Sequence, residues 1–171
     1  MASHDVQGRT WADSAAAHSE VTTWVPRDPE ACFDYIADFG KHSEWASNRI
    51  HITSVDPSRT GLGSRYRAVG HQAGKDWPSD LEVTVYDRPS TFEFTATGGP
   101  IGTPENDLHR HTFRFKAEDS GTRIDLTRRD PLPPDWSRTK RALAPTIVRL
   151  TLGSRKRTIA HLRERLIEQE H

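Results

Sequence analysis

The sequence is short of several things. It has one cysteine, Cys32, in 171 residues. That excludes an intramolecular disulfide and with it the disulfide-stapled class of small secreted domains. Cys32 lies in an apolar stretch and reads as a small core residue. An excess of charge of either sign is also missing, since 24 basic residues meet 24 acidic ones. This removes the general electrostatic case for nucleic acid or an anionic membrane. Long hydrophobic runs are absent too. No stretch approaches the ~18–20 apolar residues of a membrane span, and the N-terminus has no apolar core of signal-peptide length. A reduced, cytoplasmic setting is the expectation. There is no internal repeat. With 33 % hydrophobic residues and a mean hydropathy of −0.77, buried positions must be used economically. The chain is nonetheless long enough for one domain with a sizeable core.

Residues 1–18 are small and polar, with "ADSAAAH" the one helix-prone piece. They read as a loose tail or short helix, followed by a folded domain over 19–171. "EVTTWVP" alternates as a first strand. In "RDPEACFDYIADFG", Asp28 is a natural N-cap, Pro29 fits the first helical position and Gly40 fits the stop. "KHSEWASN" predicts a second short helix around Trp45. From residue 50 to 129 the signals are strands and turns. "DLEVTVY" and "TFEFTAT" flank the short loop "DRPS". Leu81, Val83 and Val85 are expected to face the way of Phe92, Phe94 and Ala96, with Glu82, Thr84, Glu93 and Thr95 toward water. "HRHTFRFKA" and "TRIDLTRR" flank "EDSG" likewise. "GGPIGTPEND", residues 98–107, is the longest loop of this region. A long helix follows from about Ser137 to Glu168. Its apolar stripe is Val148, Leu152, Ile159, Leu162 and Leu166, with Pro145 expected to start or kink it and Gly153 to weaken it. The order is α+β, a curved antiparallel sheet with a long terminal helix packed on it.

The stretch "LHRHTFRF" puts His109 and His111 on one strand face with Phe113 and Phe115, because strand side chains alternate. With a symmetric loop in the "EDSG" hairpin, Ala117 opposes Thr122, Phe115 opposes Ile124 and Phe113 opposes Leu126. His111 then faces Arg128 and His109 faces Asp130. A slip of one residue would destroy this pairing. The inner face would pass from a dry aromatic half into a cluster of two histidines, an arginine and an aspartate. Trp77, the 98–107 loop and Trp136 are expected at the same end. Tyr66, Ala68, Phe94 and Phe113 are expected to leave room for a flat ligand, with His111, Trp77 and Trp136 completing its binding site.

The segment "VPRDPEACFDYIADFGKHSEW" resembles the opening of the START-like, helix-grip (SRPBCC) superfamily, through Pro29, Phe33, Tyr35, Asp38 and Trp45. "GLGSRYR" resembles that family's G-x-G strand entry, and "GTRIDLT" its hairpin exit. The likeness runs over roughly residues 20–168. It implies two short helices after the first strand and a sheet gripping the C-terminal helix around a deep cavity for a hydrophobic or aromatic molecule. A bacterial branch is of polyketide cyclase/dehydrase type. No catalytic motif is shared across the superfamily, so fold does not fix function here.

The cluster's chemistry allows three function classes. One is a cyclase or dehydratase with His109 as general base, Asp130 orienting it and Arg128 stabilising an enolate or phenolate oxygen. Another is a non-catalytic carrier or sensor of a lipid or aromatic ligand. The third is a protein-interaction module using the Arg-rich C-terminal helix, whose charges read first as a solvated face. Two strand-end histidines can also simply be where the sheet meets solvent. A His-x-His pair can ligate a metal, with His71 or His161 as a third ligand, but no spacing places them there. The expectation is no metal and no cofactor, no nucleic acid and no membrane span; a homodimer is compatible with the sequence.

Overall fold

In a computed structural model of the protein, the structure describes residues 6–46, 49–56, 61–72, 75–97 and 108–169. The elements are β1 (Gln7–Ala12), β2 (Ala16–Val25), α1 (Pro29–Ala37), a 3-10 turn (Phe39–Lys41), α2 (His42–Trp45), β3 (Arg49–Ser54), β4 (Arg65–Gln72), β5 (Lys75–Asp87), β6 (Thr91–Ala96), β7 (His109–Glu118), β8 (Gly121–Pro131) and α3 (Arg138–Glu168). The strands make one curved antiparallel sheet in the order β1-β2-β8-β7-β6-β5-β4-β3. The early strand β2 therefore lies beside the last, β8. The long helix α3 packs against β1, β2 and α2. This is the α+β helix-grip arrangement expected from the sequence.

Local chemistry explains the helices. The Asp28 carboxylate accepts from the Ala31 N–H at 2.7 Å and Pro29 opens α1. The helix stops at Ala37, earlier than Gly40, because Asp38 leaves the helical region and its side chain accepts from the Gly40 N–H to cap the 3-10 turn. Ser137 caps α3 through the Lys140 N–H, and the helix runs through Pro145. Ile159, Leu162 and Leu166 are fully buried against Val21, Val25, Phe33, Ile36, Phe92, Phe113 and Ile124.

The structure corrects three expectations. Residues 7–12 and 16–18 are strand, not a loose tail or helix, so the two short helices follow the second strand. Small residues are needed there because α3 crosses the hairpin: Ala17 packs on Ala144 and Val148. A Cβ on Gly8 would stand 3.0 Å from Lys156 Cε and 3.1 Å from Leu152 Cδ1. Composition that reads as a polar tail is what lets the helix approach. In β5 the register shifts between Val83 and Val85. Beyond this bulge Tyr86, not Val85, opposes Phe92 and sets its ring edge-on to Phe33 at 5.0 Å. Thr95 is buried rather than wet, as is Thr112 on the next strand. On that outer face Glu93 accepts from Thr84 and Thr112 at 2.9 and 2.8 Å.

Candidate functional site

The strands place the polar residues in rows across the sheet. Ser19 opposes Arg128, Arg128 opposes His111, and His111 opposes Phe94. One row further, Ala17 opposes Asp130 and His109 opposes Ala96. The β7–β8 register is the symmetric one, with Ala117 on Thr122 and Phe113 on Leu126.

His109, Asp130 and Arg128 meet directly. Asp130 Oδ1 lies 2.7 Å from His109 Nδ1 and 2.6 Å from Arg128 Nε. From α3, Arg155 Nη2 donates to the other carboxylate oxygen at 3.0 Å, and its Nη1 donates to Ser19 Oγ. Burial pushes the Asp130 carboxyl up. The bond from His109 and the charges of Arg128 and Arg155 outweigh it and hold the group well below the usual aspartate range. Asp130 is thus an ionised acceptor, and His109 Nδ1 must carry a hydrogen to donate to it. Arg128 Nη2, 3.4 Å from that same nitrogen, meets an N–H and contributes charge rather than a bond. In the neutral ring the lone pair is then on Nε2. That atom is buried and has no partner among the described residues. Two further buried polar atoms share this condition, Thr23 Oγ1 and Trp45 Nε1. Buried polar groups are nearly always paired, so each orphan calls for an explanation.

His111 stacks on Phe94 with ring centroids 4.7 Å apart and planes 4° from parallel. Desolvation, then the charge of Arg128, push its imidazole well below the usual histidine value, so it is neutral at pH 7. The aromatic half of the face is filled by the protein's own rings. Phe39 lies 4.4 Å from Tyr66 and 5.1 Å from Phe94, and Trp45 packs edge-on to Phe113 at 6.3 Å. Any ligand space therefore lies toward the polar end rather than over Tyr66 and Phe113.

The tryptophans are not brought to the cluster together. Trp136 packs against the cluster of Ala17, Ala144 and Val148, beside the Asp130 row. Trp77 opposes Gly70, four residues beyond Leu81, or about 13 Å along β5. The 98–107 loop lies outside the described residues. His71 pairs with Asp76 at 2.8 Å on the surface, and His161 is exposed on α3. Among the described residues no three His, Cys, Asp or Glu side chains gather as metal ligands. A cavity of about 430 Å³ is lined by Val55, Asp56, Gly63, Arg65 and Glu82, none of them in the cluster.

Arg155 and Ser19 are site residues that could not be read from the local pattern alone. For Arg155 a signal exists. The stripe of α3 leaps from Leu152 to Ile159, and the inward position between them is 155. A charged residue in an otherwise apolar helical stripe is buried only with a partner, which here is Asp130.

The family model described as polyketide cyclase / dehydrase and lipid transport matches residues 16–166. A comparison with curated proteins finds no match. Among solved structures, Ms6760 from Mycobacterium smegmatis aligns with a TM-score of 0.66 at 17 % identity, covering 97 % of this chain and 99 % of that one. TTHA0849 from Thermus thermophilus aligns at 0.65 and 18 %, covering 89 % and 98 %. Ara h 8.0201 aligns at 0.64 and 14 %, covering 95 % and 99 %. At these identities the likeness is one of fold. No helix among the described residues is long and apolar enough to cross a membrane. With the helix-grip sheet, the long terminal helix and a family match over residues 16–166, the chain belongs to the polyketide cyclase / dehydrase and lipid transport family.

Proposed function

We propose that the protein binds a small hydrophobic or aromatic molecule between the sheet and α3, and that His109 removes a proton from it. One atom carries this reading. His109 Nε2 is buried and unpartnered among the described residues, while Asp130 fixes the opposite nitrogen at 2.7 Å. An imidazole held by a carboxylate is a general base suited to neutral pH. Arg128, on the same carboxylate oxygen, would stabilise an enolate or phenolate oxygen. Proton abstraction beside a carbonyl, aldol closure and loss of water form the reaction class, that of a polyketide cyclase or dehydratase.

A second reading is a carrier or sensor, in which Arg128 and His109 Nε2 orient the ligand and no proton is exchanged. The test uses N-phenyl-1-naphthylamine fluorescence for binding and ¹H NMR of α-hydrogen exchange of 2-tetralone in D₂O for proton transfer. A base predicts accelerated exchange that His109→Gln abolishes at unchanged dye affinity. Dye binding without accelerated exchange refutes the base and leaves the carrier. Absence of dye binding refutes both.

A further inference from the structure

The polar end of the inner face does not balance its charge. Arg128 and Arg155 bring two guanidinium groups to one carboxylate, Asp130, and among the described residues no second carboxylate pairs with either. His111 carries no charge at pH 7. Beyond the cluster lie Arg141, in the first turn of α3, and Asp13, in the β1–β2 turn. Asp13 is engaged by the Ala15 and Ala16 N–H groups and by His18. Arg141 donates to the carbonyls of Ser14, Pro133, Pro134 and Trp136. Burial and the neighbouring Arg128 push the Arg155 guanidinium down to about 10, as expected where positive charge exceeds its compensation.

The two arginines differ in what they have left to offer. Arg155 is committed through one arm to Ser19 and through the other to Asp130. Arg128 spends only Nε on Asp130. Its Nη2 faces a nitrogen that already bears hydrogen, and its Nη1 makes no hydrogen bond to a described residue. Its side chain is also the more open, 29 % exposed against 15 % for Arg155.

We propose, resting on the ligand-binding reading above, that the ligand is an organic anion: a flat apolar framework whose carboxylate or ionised enol or phenol oxygen sits on the unused guanidinium edge of Arg128. The anion returns the cluster to neutrality. The guanidinium is a planar fork of donors that matches a two-oxygen anion. The parallel stack of His111 on Phe94 beside it offers a flat wall. A hydroxyl next to the anionic oxygen would donate to His109 Nε2 and satisfy that buried atom.

The test displaces bound N-phenyl-1-naphthylamine, a neutral dye, with 2-naphthoate and with 2-naphthamide. The two competitors have the same shape and differ in charge at pH 7. The expected result is a preference for 2-naphthoate of about tenfold or more, lost in Arg128→Gln and kept in the surface control Arg157→Gln. Dye binding with equal displacement by both competitors overturns the anion inference while leaving the ligand-binding reading intact. A preference that survives Arg128→Gln overturns the seat on Arg128. No dye binding at all overturns both readings. The wild-type ratio decides the anion inference even if the Arg128 variant fails to fold.

Discussion

Asp130→Asn keeps the side chain's shape and deletes its charge. In the native protein this carboxylate takes Arg128 Nε at 2.6 Å, His109 Nδ1 at 2.7 Å and Arg155 Nη2 at 3.0 Å, and it is only 16 % exposed. Removing one partner of a buried ion pair costs about 3–5 kcal/mol, because the charge left behind is uncompensated. Arg128 can recover some solvation, so the low end, about 3 kcal/mol, is expected. At about 2–4 °C per kcal/mol for a domain of this size, Tm falls by about 6–12 °C. The pH dependence gives a second check. The folded-state pKa of Asp130 is depressed, so its stabilisation is fully present above the unfolded value of about 4 and is lost as pH falls below it. The gap between wild type and variant should be complete at pH 6–7 and narrow by about 1 kcal/mol between pH 5 and pH 3. Thermal melts followed by tryptophan fluorescence give the Tm change, and urea unfolding at three pH values gives the narrowing of the gap. A Tm change under about 2 °C, or a gap that does not narrow in acid, would refute the ion-pair argument.

Three other outcomes test the fold. His42 is buried and bonds to the Ile36 carbonyl, and burial pushes its imidazole down to about 4. A buried neutral histidine loses its stabilisation as pH falls from about 6.5 toward 4, by about 3 kcal/mol; His42→Gln should flatten that part of the pH–stability profile in chemical denaturation. In Gly121→Ala the new Cβ would stand 2.1 Å from the Val25 carbonyl and 2.6 Å from Trp24 Cζ2. The β2–β8 pair would have to part, at about 3 kcal/mol by calorimetry. Leu166→Ala, fully buried, should cost about 2–5 kcal/mol, whereas Leu150→Ser, 82 % exposed on the same helix, should change stability by no more than about 0.5 kcal/mol.

The sequence by itself determined the parts that obey local rules. The period-two pattern of "HTFRFKA" and "TRIDLT" and a short hairpin loop set the β7–β8 register, which brings His111 to Arg128. Asp28, Pro29 and Ser137 marked helix starts by capping chemistry, and the apolar stripe of α3 named its buried face. Other features are decided between segments distant in the chain, and only the tertiary structure could supply them. The β1–β2 hairpin is a strand pair because α3 needs small residues beneath it, although Ala-rich sequence favours helix when alone. The bulge that brings Tyr86 opposite Phe92 answers to packing on Phe33. The site itself divides the same way. Its histidine, aspartate and first arginine are neighbours across one hairpin and could be aligned from spacing. Arg155 arrives from a helix 25 residues from Asp130, where nothing local marks its direction except one gap in a hydrophobic stripe. That second arginine, paired through space with a carboxylate already engaged by Arg128, gives the cluster its excess of positive charge.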